Sequence, residues 1–387
     1  MGVHMKRFLI ILLVSILIIH MFPKKSFASV SVNSAAAIVM DQKTGRVFFE
    51  KNANEPMKIA SITKIMTAII AIESGKLDEE VTISKNAVNT EGSSIYLKEK
   101  EKMKLEDLVY GLMLRSGNDA AVAIAEYVGG SVEGFVYLMN EKAAQIGMKN
   151  THFANPHGLD DSDEHYSTAY DMAILTKYAM QNDKYKEIAG TKVHYAPNPS
   201  SKWDRKWTNK NRLLTGLYKY STGGKTGYTK KAHRTLVSTA SKDGMDLIAV
   251  TLNSPSSGDW NEHIRMFEFV FSDFEYQTIL KDGNIEDVKN SIYKNRAYLA
   301  RAYQYPITDE EKDLFKVEYR LIKPKKNWKK NPENVPEIIG KTEIYFDDKL
   351  IQTMPIYYKY EDAETKKSFF DVAKQIFGTI IGVKAND

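Results

Sequence analysis

The chain has 387 residues, of which 43% are hydrophobic, and it contains no cysteine. A chain of this length can bury a large core and has room for two or three domains. The lack of thiols excludes disulfides, a cysteine nucleophile and cysteine-rich zinc sites. The formal net charge of +5 falls to +1 without residues 1–28, which carry four Lys and Arg residues and no acidic residue, so the charge does not predict nucleic-acid binding.

Residues 1–28 have the pattern of a secretory signal. Lys6 and Arg7 precede an apolar run over residues 8–19, and small residues surround a cleavage position after Ala28. A retained membrane anchor is the alternative interpretation, although the apolar run is short for a spanning helix. The pattern predicts export across the cytoplasmic membrane.

A hairpin and a helix are predicted at the start of the exported chain. Apolar runs over residues 35–40 and 47–49 flank a turn that contains the triplet Lys43–Gly45. Apolar residues then recur at helical spacing over residues 61–74. This places Ser61 at or near a helix start.

The middle of the chain alternates between predicted helices and strands. Ser116–Asn118 falls in the turn between two apolar helices, and Lys225–Gly227 falls on or beside a strand. The helices are predicted over residues 105–114, 120–128, 131–146 and 168–180, the loop over 150–166, and the strands over 235–240 and 247–252.

The composition and the hydrophobic pattern change in the last third of the chain. After about Phe274, prolines are frequent among short apolar runs, which predicts a small β-rich domain. In residues 363–387 apolar residues recur at helical spacing with lysines on the other faces. Such a segment predicts an amphipathic helix in a membrane surface, and the alternative is a terminal helix that packs on its own domain.

Three short elements carry the chemical signal: Ser61–Lys64 (SITK), Ser116–Asn118 (SGN) and Lys225–Gly227 (KTG). In this order they are typical of enzymes that form a serine acyl-enzyme. Each element is weak alone, because the chain also contains an S-x-x-K at Ser291–Lys294 and a K-T-G at Lys43–Gly45. The prediction therefore depends on their order and context.

The spacing of these residues suits acyl transfer. Ser61 and Lys64 share one helix face, so the amine can take the hydroxyl proton if burial and a second cation such as Lys225 keep the amine neutral. The backbone N–H groups of Ser61 and Tyr228 are candidates for an oxyanion hole. An exposed Ser–Lys pair and two helix-capping residues, Ser116 and Asn118, are the alternative without catalysis.

With the elements in this order, the chain resembles the low-molecular-mass penicillin-binding proteins, the serine D-alanyl-D-alanine carboxypeptidases of peptidase family S11. The resemblance extends to residues 155–159, 165–171 and 223–229. Within the family it is greatest to the sporulation-type carboxypeptidase of endospore-forming bacilli, through residues 108–127 and 221–251.

The resemblance implies an α/β (α+β) penicillin-recognising, β-lactamase-like serine acyl-enzyme domain. The expected organisation is a signal peptide (1–28), this catalytic domain (29–274), a β-rich domain (275–362) and an amphipathic membrane-associating tail (363–387). The implied location is the outer face of the cytoplasmic membrane or the envelope of the forespore or spore.

The resemblance also implies the reaction and its residues. Ser61 is the nucleophile that releases the terminal D-alanine from a peptidoglycan stem peptide ending in D-Ala-D-Ala, and β-lactams act as covalent inhibitors. Lys64 is the general base, and Ser116 relays the proton. The implied substrate-binding residues are Asn118, Lys225, Thr226, Gly227 and Tyr228. Neither a cofactor nor a metal is expected, and His152, His157 and His165 match no metal-ligand spacing.

Two departures from the family leave alternatives open. Gly117 stands where β-lactamases usually have Asp, which fits the carboxypeptidase branch. No arginine closely follows the strand after Lys225–Gly227, so either Arg234 or Arg265 holds the substrate carboxylate or the carboxylate is held less tightly. A class A-like β-lactamase that uses acids near residue 160 remains an alternative. So do a catalytically silent binding protein and an enzyme that cleaves peptide crosslinks.

Overall fold

The computed structural model describes residues 30–198, 201–286 and 288–360. The predicted signal and the predicted amphipathic tail both lie outside these residues. The chain divides into two compact units, the first ending at Asp273 and the second beginning at Phe274. Each unit has its own hydrophobic core.

A five-stranded antiparallel sheet lies at the centre of the first unit. The strands of this unit are β1 (Ala36–Asp41), β2 (Val47–Lys51), β3 (Glu80–Thr82), β4 (Lys102–Lys104), β5 (Val193–Ala196), β6 (Arg205–Thr208), β7 (Ser221–Thr229), β8 (His233–Lys242) and β9 (Met245–Ser254). The large sheet has the order β2-β1-β9-β8-β7, which leaves β7 at an edge. All six residues of β1 are buried, so both faces of the sheet are covered. The predicted hairpin and its turn at residues 41–45 are confirmed.

Helices supply the rest of the first unit. They are α1 (Lys64–Glu73), α2 (Lys85–Val88), α3 (Leu105–Tyr110), α4 (Asn118–Gly129), α5 (Val132–Ile146), α6 (Ala169–Ala179), α7 (Asp183–Gly190) and α8 (Asp259–Asp273). Every residue of α1 except the last is buried, because the sequence of this helix is apolar on all sides. The helices predicted from residues 131 and 168 begin one residue later, since Ser131 and Thr168 cap them by accepting backbone N–H groups.

The helix predicted over residues 105–114 changes from an α-helix to a π-helix in its middle. It is α-helical to Tyr110 and continues as a π-helical turn over Gly111–Arg115. The wider turn ends at Ser116, whose φ of +65° lies in the left-handed region. Such a turn is frequent at functional sites because it re-aims the residues that follow.

Among the described residues, no single helix is long and apolar enough to cross a membrane. A pair of helices bent by 83°, α4 with α5, meets the length and composition criteria together.

The second unit is β-rich, as the sequence predicts. Its strands are β10 (Glu275–Leu280), β11 (Gly283–Asn284), β12 (Ala297–Leu299), β13 (Tyr303–Ile307), β14 (Phe315–Leu321), β15 (Ile338–Phe346) and β16 (Lys349–Tyr358). Five of them form a sheet in the order β11-β12-β16-β15-β14, and β10 pairs with β13. Tyr293, Ile339, Ile344 and Ile356 are fully buried in its core.

Candidate active site

Ser61 lies in a single 3₁₀ turn over Ala60–Thr63 that leads directly into α1. Ala60, the residue before it, has a φ of +49°, a backbone conformation that costs a non-glycine residue of the order of 1 kcal/mol and is often found at functional sites. The Oγ atom of Ser61 accepts a hydrogen bond of 3.0 Å from Nζ of Lys64. The predicted pairing of these two side chains is thus present in the geometry.

The Lys64 side chain is completely buried and has three oxygen neighbours. Besides Ser61 Oγ, its Nζ lies 2.7 Å from Oδ1 of Asn118 and 2.6 Å from the backbone oxygen of His157. Burial, followed by the charges of Lys225 and Lys210, holds the pKa of Lys64 well below its ordinary value of 10.5. A neutral amine so placed can accept the proton of the Ser61 hydroxyl.

Ser116 and Lys225 form a second pair. Lys225 is 2% exposed, and its Nζ donates to Ser116 Oγ at 3.0 Å and to the backbone oxygen of Thr226 at 2.8 Å. Burial, and then the charge of Lys210, lowers the pKa of Lys225 to about 7. The pair therefore joins a hydroxyl to an amine that can exchange a proton near neutral pH.

Asn118 connects the site to the loop before α3. It is the first residue of α4 and is 2% exposed. Its backbone N–H donates to Ser93 at 2.6 Å, and its side-chain Nδ2 donates to the backbone oxygen of Glu91 at 2.6 Å. One of the two side-chain N–H groups is used by Glu91, so the other remains for a substrate amide.

Edge strand β7 passes beside Ser61 and the start of α1. A Cβ atom added to Gly227 would lie 2.9 Å from the backbone nitrogen of Ser61, so only glycine allows this close approach. Thr226 and Tyr228 flank this glycine, and the Tyr228 side chain is exposed. The strand thus brings the residues predicted to bind substrate to the nucleophile.

The loop over residues 155–159 takes part in the site in a way that sequence reasoning missed. The backbone oxygens of Pro156 and His157 accept hydrogen bonds from Thr67 and Lys64. Gly158 has a φ of +87°, and an added Cβ would overlap the backbone oxygen of Ala60. The only signal was the resemblance of this segment to the family, because a backbone carbonyl leaves no mark on residue type.

Two of the three loop histidines, His157 and His165, are buried and contact residues at the start of α1. His165 pairs through Nε2 with Thr63 Oγ1 at 2.8 Å, and burial lowers its pKa to about 3. Burial, and then the charge of Lys64, lowers the pKa of His157 to about 3 as well. Among residues 30–198, 201–286 and 288–360, no group of three or more His, Cys, Asp or Glu side chains could hold a metal ion.

Lys210 is a further residue that sequence reasoning did not find. Its Nζ lies 3.4 Å from Ser93 Oγ, and its charge lowers the pKa of both Lys64 and Lys225. A π-helical turn over Leu213–Leu217 lies between it and β7, so only the folded chain brings it to the site. Its position makes the site a cluster of three amines.

Other candidates have partners of their own. Nε of Arg234 donates to Asp259 Oδ2 at 3.0 Å, and Nη2 of Arg265 donates to the backbone oxygen of Ser31 at 3.0 Å. Among the acids near residue 160, Asp161 accepts from Asn155 and Asp163 pairs with Lys231. The carboxylates of Asp161 and Asp163 therefore bond to side chains other than Ser61 and Lys64.

Comparison with known proteins identifies similarities along most of the chain. The family model for D-alanyl-D-alanine carboxypeptidases matches residues 23–256, and the model for the C-terminal domain of penicillin-binding protein 5 matches residues 274–364. The D-alanyl-D-alanine carboxypeptidase DacF of Bacillus subtilis is 36% identical over 291 residues, 72% of this chain and 74% of that protein. DacC of Escherichia coli is 38% identical over 263 residues, 65% of this chain and 64% of that protein.

Solved structures are similar as well. Penicillin-binding protein 5 from Haemophilus influenzae has a TM-score of 0.70 at 27% identity, covering 85% of this chain and 97% of that one. The carboxypeptidase DacD from Francisella tularensis has a TM-score of 0.65 at 28% identity, covering 86% of this chain and 94% of that one.

Proposed function

The chain belongs to the D-alanyl-D-alanine carboxypeptidase family, and from this premise we propose that its reaction takes place at Ser61 with Lys64 as the general base. Family membership makes the protein a serine-type carboxypeptidase that acts on peptidoglycan. The observation that carries the assignment of residues is the fully buried Lys64, whose Nζ lies 3.0 Å from Ser61 Oγ.

Acylation begins when Ser61 Oγ attacks the carbonyl carbon of the penultimate D-alanine. Lys64 takes the hydroxyl proton, and the N–H groups of Ser61 and Tyr228 stabilise the oxyanion. The peptide bond then breaks as an ester forms to Ser61. A proton relayed through Ser116 leaves with the amine of the released D-alanine, and water hydrolyses the ester with Lys64 again as base.

Lys225 and Thr226 receive the terminal carboxylate of the substrate in this proposal. The pKa of Lys225 is about 7, and a carboxylate bound next to its amine would raise that pKa. Substrate binding therefore favours the charged amine. Asn118 orients the amide on the acyl side, and β-lactams acylate Ser61 because their carboxylate and strained amide occupy the same positions.

The cellular location is extracytoplasmic, as for the related cell-wall carboxypeptidases. We further propose that residues 1–28 direct export and that residues 363–387 hold the protein on the outer face of the membrane. The envelope of the forespore or spore is the alternative location in this proposal, and its support is the resemblance of residues 108–127 and 221–251 to the sporulation-type carboxypeptidases. The amphipathic pattern of the tail supports the anchor.

Replacement of Ser61 by Ala tests the proposal directly. The S61A protein should neither bind fluorescent penicillin covalently nor release D-alanine from a pentapeptide, as followed by mass spectrometry. The matched control is S291A, because Ser291 belongs to the other S-x-x-K of the chain and is exposed. D-alanine release by S61A at the wild-type rate would refute the mechanism, and rapid turnover of penicillin by the wild type would indicate a β-lactamase.

A further inference from the structure

A cleft of about 710 Å³ opens next to the catalytic residues. One wall is the loop over residues 92–96, and the other is formed by β6 together with Arg115 and Lys210. None of the residues assigned above to acyl transfer lines this cleft. Its function therefore remains to be assigned.

The cleft continues from the acyl side of the site. Arg115 directly precedes Ser116, and Ser93 on the opposite wall accepts the backbone N–H of Asn118 at 2.6 Å. Asn118 is the residue proposed to bind the amide on the acyl side. Stem residues that precede D-Ala-D-Ala can therefore extend from Asn118 into the cleft.

The charge of the cleft is strongly one-sided. Five of its lining residues are cationic and none is acidic. Arg205 is compensated by Glu101, whose carboxylate lies 2.6 Å away. The other four cations are Lys98, Arg115, Lys206 and Lys210. Within the described part of the chain, no carboxylate lies within 4 Å of their charged side-chain nitrogens, although Glu101 accepts the backbone N–H of Lys98 at 3.0 Å.

Two of these cations have neutral partners. Nη1 of Arg115 donates to the backbone oxygen of Thr208 at 3.0 Å, and Nζ of Lys206 lies 5.8 Å from the centre of the Tyr195 ring. Neutral partners position a cation without cancelling its charge. A cleft lined in this way attracts anions, because low-dielectric walls strengthen the field inside it.

The opposite wall is held rigidly. The buried carboxylate of Asp119 accepts the backbone N–H groups of Ile95 and Leu97 at 3.1 Å and the Ser94 hydroxyl at 2.5 Å. This clamp holds Tyr96 at a φ of +63° with its side chain 82% exposed. The loop therefore places Tyr96 at the rim of the cleft with its side chain open to solvent.

We propose that this cationic cleft binds a side-chain carboxylate of the stem residue that precedes D-Ala-D-Ala. The inference rests on the proposed function and deepens it. The enzyme would prefer stem peptides with a diamino-dicarboxylic third residue over peptides in which that carboxylate is amidated or absent. Arg115 and Lys206 would be specificity-determining residues, acting on binding and not on bond cleavage.

The test compares three pentapeptides that differ only in the third residue: meso-diaminopimelate, its side-chain carboxamide, and L-lysine. For the full exported protein we expect kcat/KM for D-alanine release to be about tenfold higher with the free carboxylate, as for one charge-assisted hydrogen bond. R115Q and K206Q should each reduce this preference, and the double variant should abolish it. The control K149Q changes an exposed lysine outside the cleft and should keep the preference.

The preference is a ratio between two substrates of one protein, so a partial loss of folding affects both and cancels. Equal kcat/KM for the three peptides in the wild type, or an unchanged ratio in the double variant, would overturn the inference. Binding of the same peptides to S61A, measured by calorimetry, separates the two proposals. Preferential binding of the carboxylate peptide without any cleavage by the wild type would refute the proposed function and leave the inference standing.

Discussion

The chain contains the triplet Lys-Thr-Gly twice, and the two copies have different structures. Lys43–Gly45 forms the turn between β1 and β2, where the Lys43 side chain is exposed and Thr44 bonds to Asp41. Lys225–Gly227 lies in edge strand β7, where Lys225 is 2% exposed. Burial, and then the charge of Lys210, lowers the pKa of Lys225 to about 7.

The two glycines meet different physical needs. Gly45 has a φ of +80°, which the turn requires and which favours glycine. Gly227 is in an extended strand, and its missing side chain makes room for the backbone nitrogen of Ser61. The same residue type thus allows a left-handed backbone conformation in one triplet and the close approach of Ser61, the proposed nucleophile, in the other.

The two S-x-x-K elements differ in the same way. Lys64 is completely buried among three oxygen acceptors, whereas Lys294 in the second unit is exposed. Burial disfavours the charged form of the Lys64 amine, which the role of a base requires. The comparison teaches that burial, and not the motif, makes these residues reactive.

The largest expected effect comes from removing the buried amine. K64M should slow covalent labelling of Ser61 by fluorescent penicillin by about 10³-fold, because the hydroxyl loses its base. K294M should label at the wild-type rate. Wild-type labelling by K64M would show that another group accepts the proton.

The two glycines separate catalysis from stability. G227A should lower the rate of acylation by about 10²-fold, because its Cβ would displace the Ser61 N–H from the oxyanion hole. G45A should leave that rate unchanged and cost about 1 kcal/mol of stability, since its φ is left-handed. Acylation kinetics and urea unfolding measure both effects. A reversed pattern would contradict the structural difference between the triplets.

A buried histidine should make the stability of the protein depend on pH in the acid range. Burial holds the pKa of His165 at about 3, below its ordinary value of about 6.5, so between these values the unfolded chain binds a proton that the folded chain does not. Stability should fall as pH decreases through this window, by about 1.4 kcal/mol per pH unit for this residue.

The H165Q variant tests the predicted direction of this pH dependence. It should be less stable at pH 7, having lost its bonds to Thr63 and Ala154, but its stability should decline less steeply from pH 6 to pH 4.5. The exposed His152 provides the control, and H152Q should keep the wild-type slope in urea unfolding. Equal slopes for H165Q and the wild type would contradict the neutral state of His165.

The smallest expected effect concerns the charge of Lys210. K210Q removes a cation that lowers the pKa of Lys64 and Lys225, so both values should rise. The pH–rate profile of penicillin acylation should shift to higher pH by up to about one unit. K43Q, in the other triplet, should leave the profile unmoved. An unshifted profile in K210Q would mean that solvent screens this charge from the site.

Much of the fold was predictable because it depends on local patterns. Apolar spacing located α1, α5 and α6 to within a few residues, and turn residues located the hairpins of the large sheet. The π-helical turn over Gly111–Arg115 was not predicted. Its apolar residues fit an α-helix equally well, so only packing around it selects the wider turn.

Some residues of the candidate site were predictable from the sequence, and others were not. Order and context singled out Ser61, Ser116 and Lys225, while Lys210 and the carbonyl of His157 became visible only in the folded chain. Both depend on loops whose positions are set by distant elements: residues 155–159 lie against α1, and Lys210 donates its N–H to Leu114. Contacts of this kind leave no periodic signal.

The sequence by itself determined which groups are available: a hydroxyl and an amine one helical turn apart at Ser61 and Lys64, a second hydroxyl and amine at Ser116 and Lys225, and a strand that contains Gly227. It also indicated where most helices and strands lie, because hydrophobic periodicity acts over a few residues. The tertiary structure decided which copy of each motif is buried, and therefore which amines lose solvation and become neutral near physiological pH. Desolvation is a property of everything packed around a group, so no local pattern of residues can encode it alone.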